Sequence, residues 1–252
     1  MRRKRVLDVA SLLTLPLGVV IVLAAQWLEG GAPRALLQGP AALIVFGGTC
    51  AAVLVSYSPR EVRRAIRAMA ATFEYVTDDT DVLMSRLVAI ASRAHRKGLM
   101  ALETEIGDID HRLLRDGLTL IVDGTSIEVL RDMVATERRA READEEMPAR
   151  VFEAAAGYAP TLGILGAVLG LIEVMHHLTE PAALGSGIAV AFVATVYGVG
   201  AANLLFLPLA GRIRERAAFA SRRRDLVAEA LFAIHARTNP RLVAHKLKVL
   251  SA

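Results

Sequence analysis

The run Tyr158–Leu178, YAPTLGILGAVLGLIEVMHHL, and its neighbour Ala182–Gly211, AALGSGIAVAFVATVYGVGAANLLFLPLAG, decide the fold. No charged residue falls between Glu153 and Glu173, and none between Glu180 and Arg212. Each run exceeds the roughly 18–20 apolar residues that a helix needs to cross a bilayer core of about 30 Å. Both are rich in small residues. Gly163, Gly166 and Gly170 recur at helical spacing in the first, and Gly185, Gly187, Ala191, Thr195, Gly198 and Ala202 in the second. Burying apolar side chains drives no association in lipid, so helices there pair where small residues let backbones approach. The pair is therefore a packing element. Whether it also conducts stays open on these residues alone.

Composition supports a membrane protein with its charges set apart. Hydrophobic residues make up 54% of the 252, yet 22% are charged, so the two kinds must lie in separate blocks. A mean hydropathy of +0.43 agrees. The single cysteine, Cys50, excludes an intramolecular disulfide. No HExxH or CxxC spacing occurs, and the adjacent His176 and His177 would point about 100° apart on a helix, a poor chelate. Neither GxSxG nor GxxxxGK[ST] is present, so an enzymatic reading has no motif to rest on.

Outward from the pair, the chain begins MRRKR and continues into an uncharged run, Val9–Leu28. We read that run as a retained first span with a cytoplasmic amino terminus, not a signal peptide. Asp8 sits at its inner mouth, either as a solvated interfacial carboxylate or as an ion-entry residue. A short Gly/Pro turn leads to a second span, Leu37–Tyr57, with Gly47, Gly48 and Thr49 at its centre. Arg60, Arg63, Arg64 and Arg67 follow at once, and Arg212, Arg214 and Arg216 follow the fourth span, as the positive-inside rule expects.

The expected fold is all-α and membrane-integral. It has four transmembrane helices, a large helical cytoplasmic loop between spans two and three, and both termini inside. Residues 1–59 hold spans one and two, 60–150 the loop, 151–211 spans three and four, and 212–252 a cytoplasmic tail. In the loop, Arg60–Tyr75, Val82–Lys97 and Ile127–Glu146 carry helical periodicity, and Gly98, Gly107, Gly117 and Gly124 divide it into short helices. Pro148 and Pro160 frame the approach to the third span, and Pro208 closes the fourth.

The spans hold no carboxylate near mid-depth, where a proton conductor normally needs an ionisable group. They offer hydroxyls instead: Thr161, Thr195 and Tyr197. A membrane threonine either bonds its own backbone carbonyl or faces a wet path whose carboxylate a partner supplies.

Three segments then carry a resemblance: LIVFGGTCAAVLVSY (Leu43–Tyr57), RKGLMALE (Arg96–Glu103) and the whole of Tyr158–Ile213. On them the chain resembles the MotA/PomA flagellar stator proteins, in the wider group shared with ExbB and TolQ. The resemblance implies a stator subunit of the bacterial inner membrane that assembles as a pentamer, surrounded by lipid. At its centre stand two copies of a single-span, MotB-type partner that brings the membrane aspartate. It implies torque exerted on the rotor protein FliG, with no cofactor and no nucleic acid. Pro160 and Pro208 match the family's two functional prolines, and Thr195 its ion-path threonine. The rotor-facing motif departs from the family: His95 stands where an arginine is usual, flanked by Arg93 and Arg96, while Glu103 is kept. A flanking arginine supplies that charge, or His95 does so only at lower pH. Ala167, where sodium-driven relatives carry threonine, points to protons over sodium as the transported ion. An ExbB/TolQ-like envelope energiser and a non-conducting scaffold are the alternatives.

Overall fold

The prolines of the third span do not end its helix. In the computed structural model, which describes residues 9–31, 33–74, 79–177 and 181–251, we number ten helices in chain order. They are α1 (Val9–Leu28), α2 (Gly39–Ser56), α3 (Pro59–Thr72), α4 (Thr80–Lys97), α5 (Glu103–Ile106), α6 (Arg112–Val122), α7 (Ile127–His176), α8 (Pro181–Gly200), α9 (Leu207–His235) and α10 (Pro240–Ser251). Asp8 and the basic start lie outside the described residues.

Helix α7 runs for 50 residues with Pro148 and Pro160 inside it, so Ile127–Glu146 and the third span are one element, not two. Each proline removes one amide donor and crowds the carbonyl four residues back. The residues around Pro148, rich in Ala, Glu and Arg, favour helix strongly enough to continue past that loss. Pairs one turn apart add to it: Arg141 to Glu137 at 2.9 Å and Arg150 to Glu146 at 3.1 Å. Likewise α8 does not stop at the fourth span. It passes through a π-helical segment, Ala201–Phe206, into α9, and Pro208 falls in the first turn of α9. The wider π turn just before Pro208 relieves the ring's pressure on the preceding carbonyls. Leu226–His235, within the tail, is the end of that same element.

Among the described residues, three stretches are long and apolar enough to cross a membrane: α2, the apolar part of α7, and α8 with its continuation. Helix α1 is apolar as well. Helix α2 contains a second π segment, Leu43–Gly47, and gives way to extended Tyr57. Ser58 then caps α3 in a reciprocal pair with Glu61: the Ser58 amide donates to Glu61 Oε2 at 2.8 Å, and the Glu61 amide to Ser58 Oγ at 3.4 Å. The Ser58 hydroxyl and amide hold the Glu61 carboxyl below its ordinary range.

By contacts the chain falls into two compact units, residues 1–75 with 146–214, and 76–145 with 215–252. The first is built the opposite way from a water-soluble domain. Many of its buried positions are small, among them Ala41, Ala159, Ala194 and Ala201, whereas Ile164, Leu165, Leu169 and Phe192 face outward, the last 71% exposed. Large apolar side chains outside and small ones inside is the arrangement lipid favours. The second unit is conventional. Leu87, Leu118 and Leu130 are buried together with Leu226, Leu231 and Leu247, so the tail completes the loop's core. Gly117 lies inside α6 instead of ending it, and Leu231 fills the space beside it, 2.4 Å from where a Cβ would stand. Helix α10, which periodicity alone had not marked, contributes Val243 and Leu247 one turn apart.

Polar contacts pin α7 to α9 within this unit. Arg224, 8% exposed, forms two 2.7 Å bonds to the Glu145 carboxylate, Ser221 donates to Glu142 at 3.0 Å, and Arg138 pairs with Asp225 at 2.7 Å. His111 caps α6, its Nδ1 accepting from the Leu114 amide at 3.4 Å. Burial, then the Arg223 and Arg224 guanidiniums, push its pKa below the ordinary 6.5.

Two outcomes test this packing. Gly198→Ala places a Cβ 2.5 Å from the Ala159 carbonyl oxygen and 3.1 Å from Pro160 Cα, backbone atoms that cannot give way, whereas nothing lies within 4 Å at Gly200. Gly198→Ala is expected to destabilise by about 1–3 kcal/mol, as overpacking does, and Gly200→Ala to be neutral, read as thermal midpoints of the purified protein. Because the folded pKa of His111 is depressed, the unfolded chain takes up the proton first as pH falls. The stability His111 contributes is complete above about 6.5 and drains away below it. His111→Asn, which keeps a capping oxygen but cannot titrate, is expected to flatten the midpoint's fall between about pH 7 and pH 5.

Candidate functional site

The spans of α7 and α8 meet backbone to backbone. A Cβ at Gly163 would lie 2.8 Å from the Ala194 carbonyl oxygen and 3.4 Å from Thr195 Cα. One at Gly170 would lie 2.8 Å from both the Ala191 nitrogen and the Gly187 carbonyl oxygen. Pro160 Cα stands 3.1 Å from the Cβ position at Gly198, so Pro160 and Thr195 border the same contact. The missing amide of Pro160 leaves the Ala156 carbonyl without its helical donor.

Both candidate threonines bond their own helix. Thr161 donates to the Tyr158 carbonyl at 2.8 Å and Thr195 to the Ala191 carbonyl at 3.3 Å. Both residues are exposed on this chain. A hydroxyl that donates backwards keeps its lone pairs, so each still accepts a hydrogen bond from water or from an acid set against it. Tyr197 is placed apart from them. It is two residues past Thr195, roughly 200° round the helix. Its hydroxyl donates to the Leu36 carbonyl and accepts the Gln38 amide at 3.4 Å, and its ring leans on Phe46 with centroids 5.7 Å apart. Tyr197 thus ties α8 to the turn before α2. Beside it lies a cavity of about 440 Å³ lined by apolar residues such as Leu23, Phe46 and Leu204, with no carboxylate. Pro208 is exposed and ten residues beyond Gly198, roughly 15 Å along the axis, so it does not join Pro160. Thr49, 3% exposed in α2, has a buried hydroxyl with no partner among the described residues. Its place directly after Gly47 and Gly48 was the sequence signal for it.

The second candidate group lies where α4 ends. Gly98, with φ of 84°, stops the helix after His95, Arg96 and Lys97. A short turn, Leu99–Leu102, then buries Leu102 and leads into α5. His95, Arg96 and Glu103 are exposed. Arg93 is not free: it pairs with Glu105 at 2.5 Å, a partner the sequence reading passed over although it stands two residues after Glu103. His95 Nδ1 lies 3.0 Å from the Arg237 carbonyl. A carbonyl only accepts, so Nδ1 carries the proton.

Residues 105–225 match the MotA/TolQ/ExbB proton channel family. Motility protein A of Bacillus subtilis is 31% identical over 96% of this chain and 90% of its own length. Chemotaxis protein PomA of Vibrio alginolyticus is 28% identical over 96% and 94%. Among solved structures, MotAB of C. jejuni superposes with a TM-score of 0.88 at 27% identity, over 96% of this chain and 95% of that one. The flagellar MotAB stator complex from Bacillus subtilis superposes with 0.85 at 32% identity, over 95% and 94%. With likeness to motility protein A along nearly its whole length, the chain belongs to the MotA/TolQ/ExbB proton channel family, on its flagellar stator branch.

Proposed function

We propose that this stator subunit carries four membrane helices with both termini in the cytoplasm and works as a proton-driven pentamer. Its MotB-type partner supplies the membrane carboxylate, and its exposed loop turns the rotor protein FliG. The observation that carries this reading is the α7–α8 contact: tight, bordered by Pro160 and the exposed Thr195, and without a charge of its own. A charge-free contact with hydroxyls facing outward suits a carboxylate brought by a neighbour. The solved relatives are MotAB complexes, which supports a MotB-type partner here. Arginines after α2 and within the first turns of α9 favour an inner-membrane protein with those ends inside. The length of α1, 20 residues without a charge, supports a fourth span. Pro160, Thr161, Thr195 and Pro208 are assigned to the ion path and its coupling. Tyr197 is assigned to holding α8 against the outer turn. Arg93, His95, Arg96 and Glu103 are assigned to the rotor-facing face, with Arg93 bound internally. No catalytic step belongs to this reading.

The test is complementation of a strain lacking this chain. The deletion is expected to leave full-length flagella that do not rotate. Pro160→Leu and Thr195→Val are each expected to abolish swimming while the protein still inserts; normal swimming with either would remove that residue from the ion path. A deletion strain that swims but loses energy-dependent outer-membrane uptake would favour the envelope energiser. Tyr197→Phe removes the two hydroxyl bonds to the turn. It is expected to cost about 1 kcal/mol of stability, the net worth of such bonds, with ion flow retained, read by thermal midpoint and by swimming speed.

A further inference from the structure

Among the described residues, Arg237 is the one non-glycine residue with positive φ, at 49°. It follows the last turn of α9 in a closed terminal motif. The Arg237 amide donates to the Ile234 carbonyl at 3.0 Å and the Thr238 amide to the Ala233 carbonyl at 2.9 Å. This pattern demands a left-handed residue, and glycine is its usual occupant. The other two positive-φ residues of this unit, Gly98 and Gly124, are glycines. Arginine here accepts backbone strain, and its side chain returns nothing to the fold. The residue is exposed, and among the described residues no ion pair or hydrogen bond reaches the guanidinium. A strained position whose side chain stabilises nothing internally points outward, to a ligand.

The surroundings say which kind. His95 at the end of α4 donates to the Arg237 carbonyl at 3.0 Å, so the turn is fixed beside Arg96 and Lys97. Helix α10, which packs on α4, has Arg241 in its first turn and carries no carboxylate. The face that Arg237 shares with the end of α4 sets Arg96, Lys97 and Arg241 against one exposed carboxylate, Glu103, so it is basic on balance, and the surface complementary to its cations is acidic.

We propose that Arg237 is a cation of the rotor-contact surface, and that His95 is its positioning residue, fixing the turn that presents it to carboxylates of the rotor protein. This rests on the reading of His95–Glu103 as rotor-facing. The site thus needs no charge on His95: the cation stands on the turn that the ring holds.

Arg237→Gly separates function from folding, because glycine relieves the strain while removing the charge. In the full stator complex its thermal midpoint is expected to be unchanged or higher. Torque per stator unit at high load, measured with beads on single motors, is expected to fall about two- to fivefold, the range one exposed ion pair supports. Arg237→Lys keeps the charge and is expected to restore most of the torque. His95→Asn keeps a donor and should resemble the parent, whereas His95→Leu should resemble Arg237→Gly. Glu103→Lys serves as the control for the underlying reading. Full torque in Arg237→Gly with reduced torque in Glu103→Lys overturns the Arg237 proposal alone. Full torque in both overturns the rotor-facing reading and the proposal with it. A midpoint that falls together with torque makes Arg237 structural and also overturns it.

Discussion

Everything in the membrane unit depends on the close approach of α7 and α8. Lipid supplies no hydrophobic drive to hold two helices together, so the energy of the pair is van der Waals contact between backbones, and that exists only where side chains are absent. Gly163, Gly170 and Gly198 each stand where a Cβ would strike backbone atoms of the opposite helix at 2.5–2.8 Å. That one constraint sets the register of the pair, and the register sets what flanks it. Pro160 is pressed against Gly198, Thr195 falls at the edge, and Tyr197 turns to the far side, toward the turn before α2. The large residues Ile164, Leu169 and Phe192 are left pointing outward.

The same two chain segments serve a different chemistry elsewhere. Helix α7 carries Leu130 and Glu145 in the second unit as well as Pro160 in the first, and α9 carries Arg224 and Leu231. In the second unit the contact between α7 and α9 adds buried polar pairs to a shared apolar core. Burying Arg224 costs several kcal/mol in desolvation unless its partner fits well. Glu145 meets it with both oxygens at 2.7 Å, the two-point geometry that offsets such a cost. So α7 is held to α8 by shape in one unit, and to α9 by an apolar core with directional charge pairs in the other. A helix that continues past Pro148 and Pro160 is what allows one element to do both.

Much of this was legible in the residues, and the reasons for the rest are local. Charge-free runs marked the membrane helices because a single ionised side chain in lipid is expensive. Glycine spacing marked the α7–α8 contact because no other residue permits it. Proline misled as a boundary: at Pro148 and Pro208 its penalty is a property of one turn, while the helix is decided by many. The tail's role was hidden because Val243 and Leu247 are a short amphipathic signal whose partners, Leu87 among them, lie far off in sequence. Tyr197 was grouped with the threonines by its hydroxyl. Only the fold shows that the hydroxyl serves Leu36 and Gln38. The pairing of Arg93 with Glu105 is not readable from spacing, because Glu105 lies across a glycine turn, where spacing no longer indicates proximity.

The absence of a carboxylate between α7 and α8 constrains how any ion passes them. An acid introduced there by a neighbouring chain would cost about 2.5–3.5 kcal/mol at the centre of a membrane if it met only lipid. The outer edge of this pair offers it hydroxyls instead. Thr161 and Thr195 each spend their proton on their own helix, which leaves only acceptor lone pairs facing out. Acceptors stabilise a carboxylic acid through its proton and give an ionised carboxylate nothing. On the proposed reading, then, this chain favours the protonated form of its partner's acid. Release of that proton must wait until the acid moves to another environment. A subunit that binds one protonation state and not the other couples proton transfer to displacement, and the rigidity of the glycine contact keeps that displacement from being absorbed within the subunit.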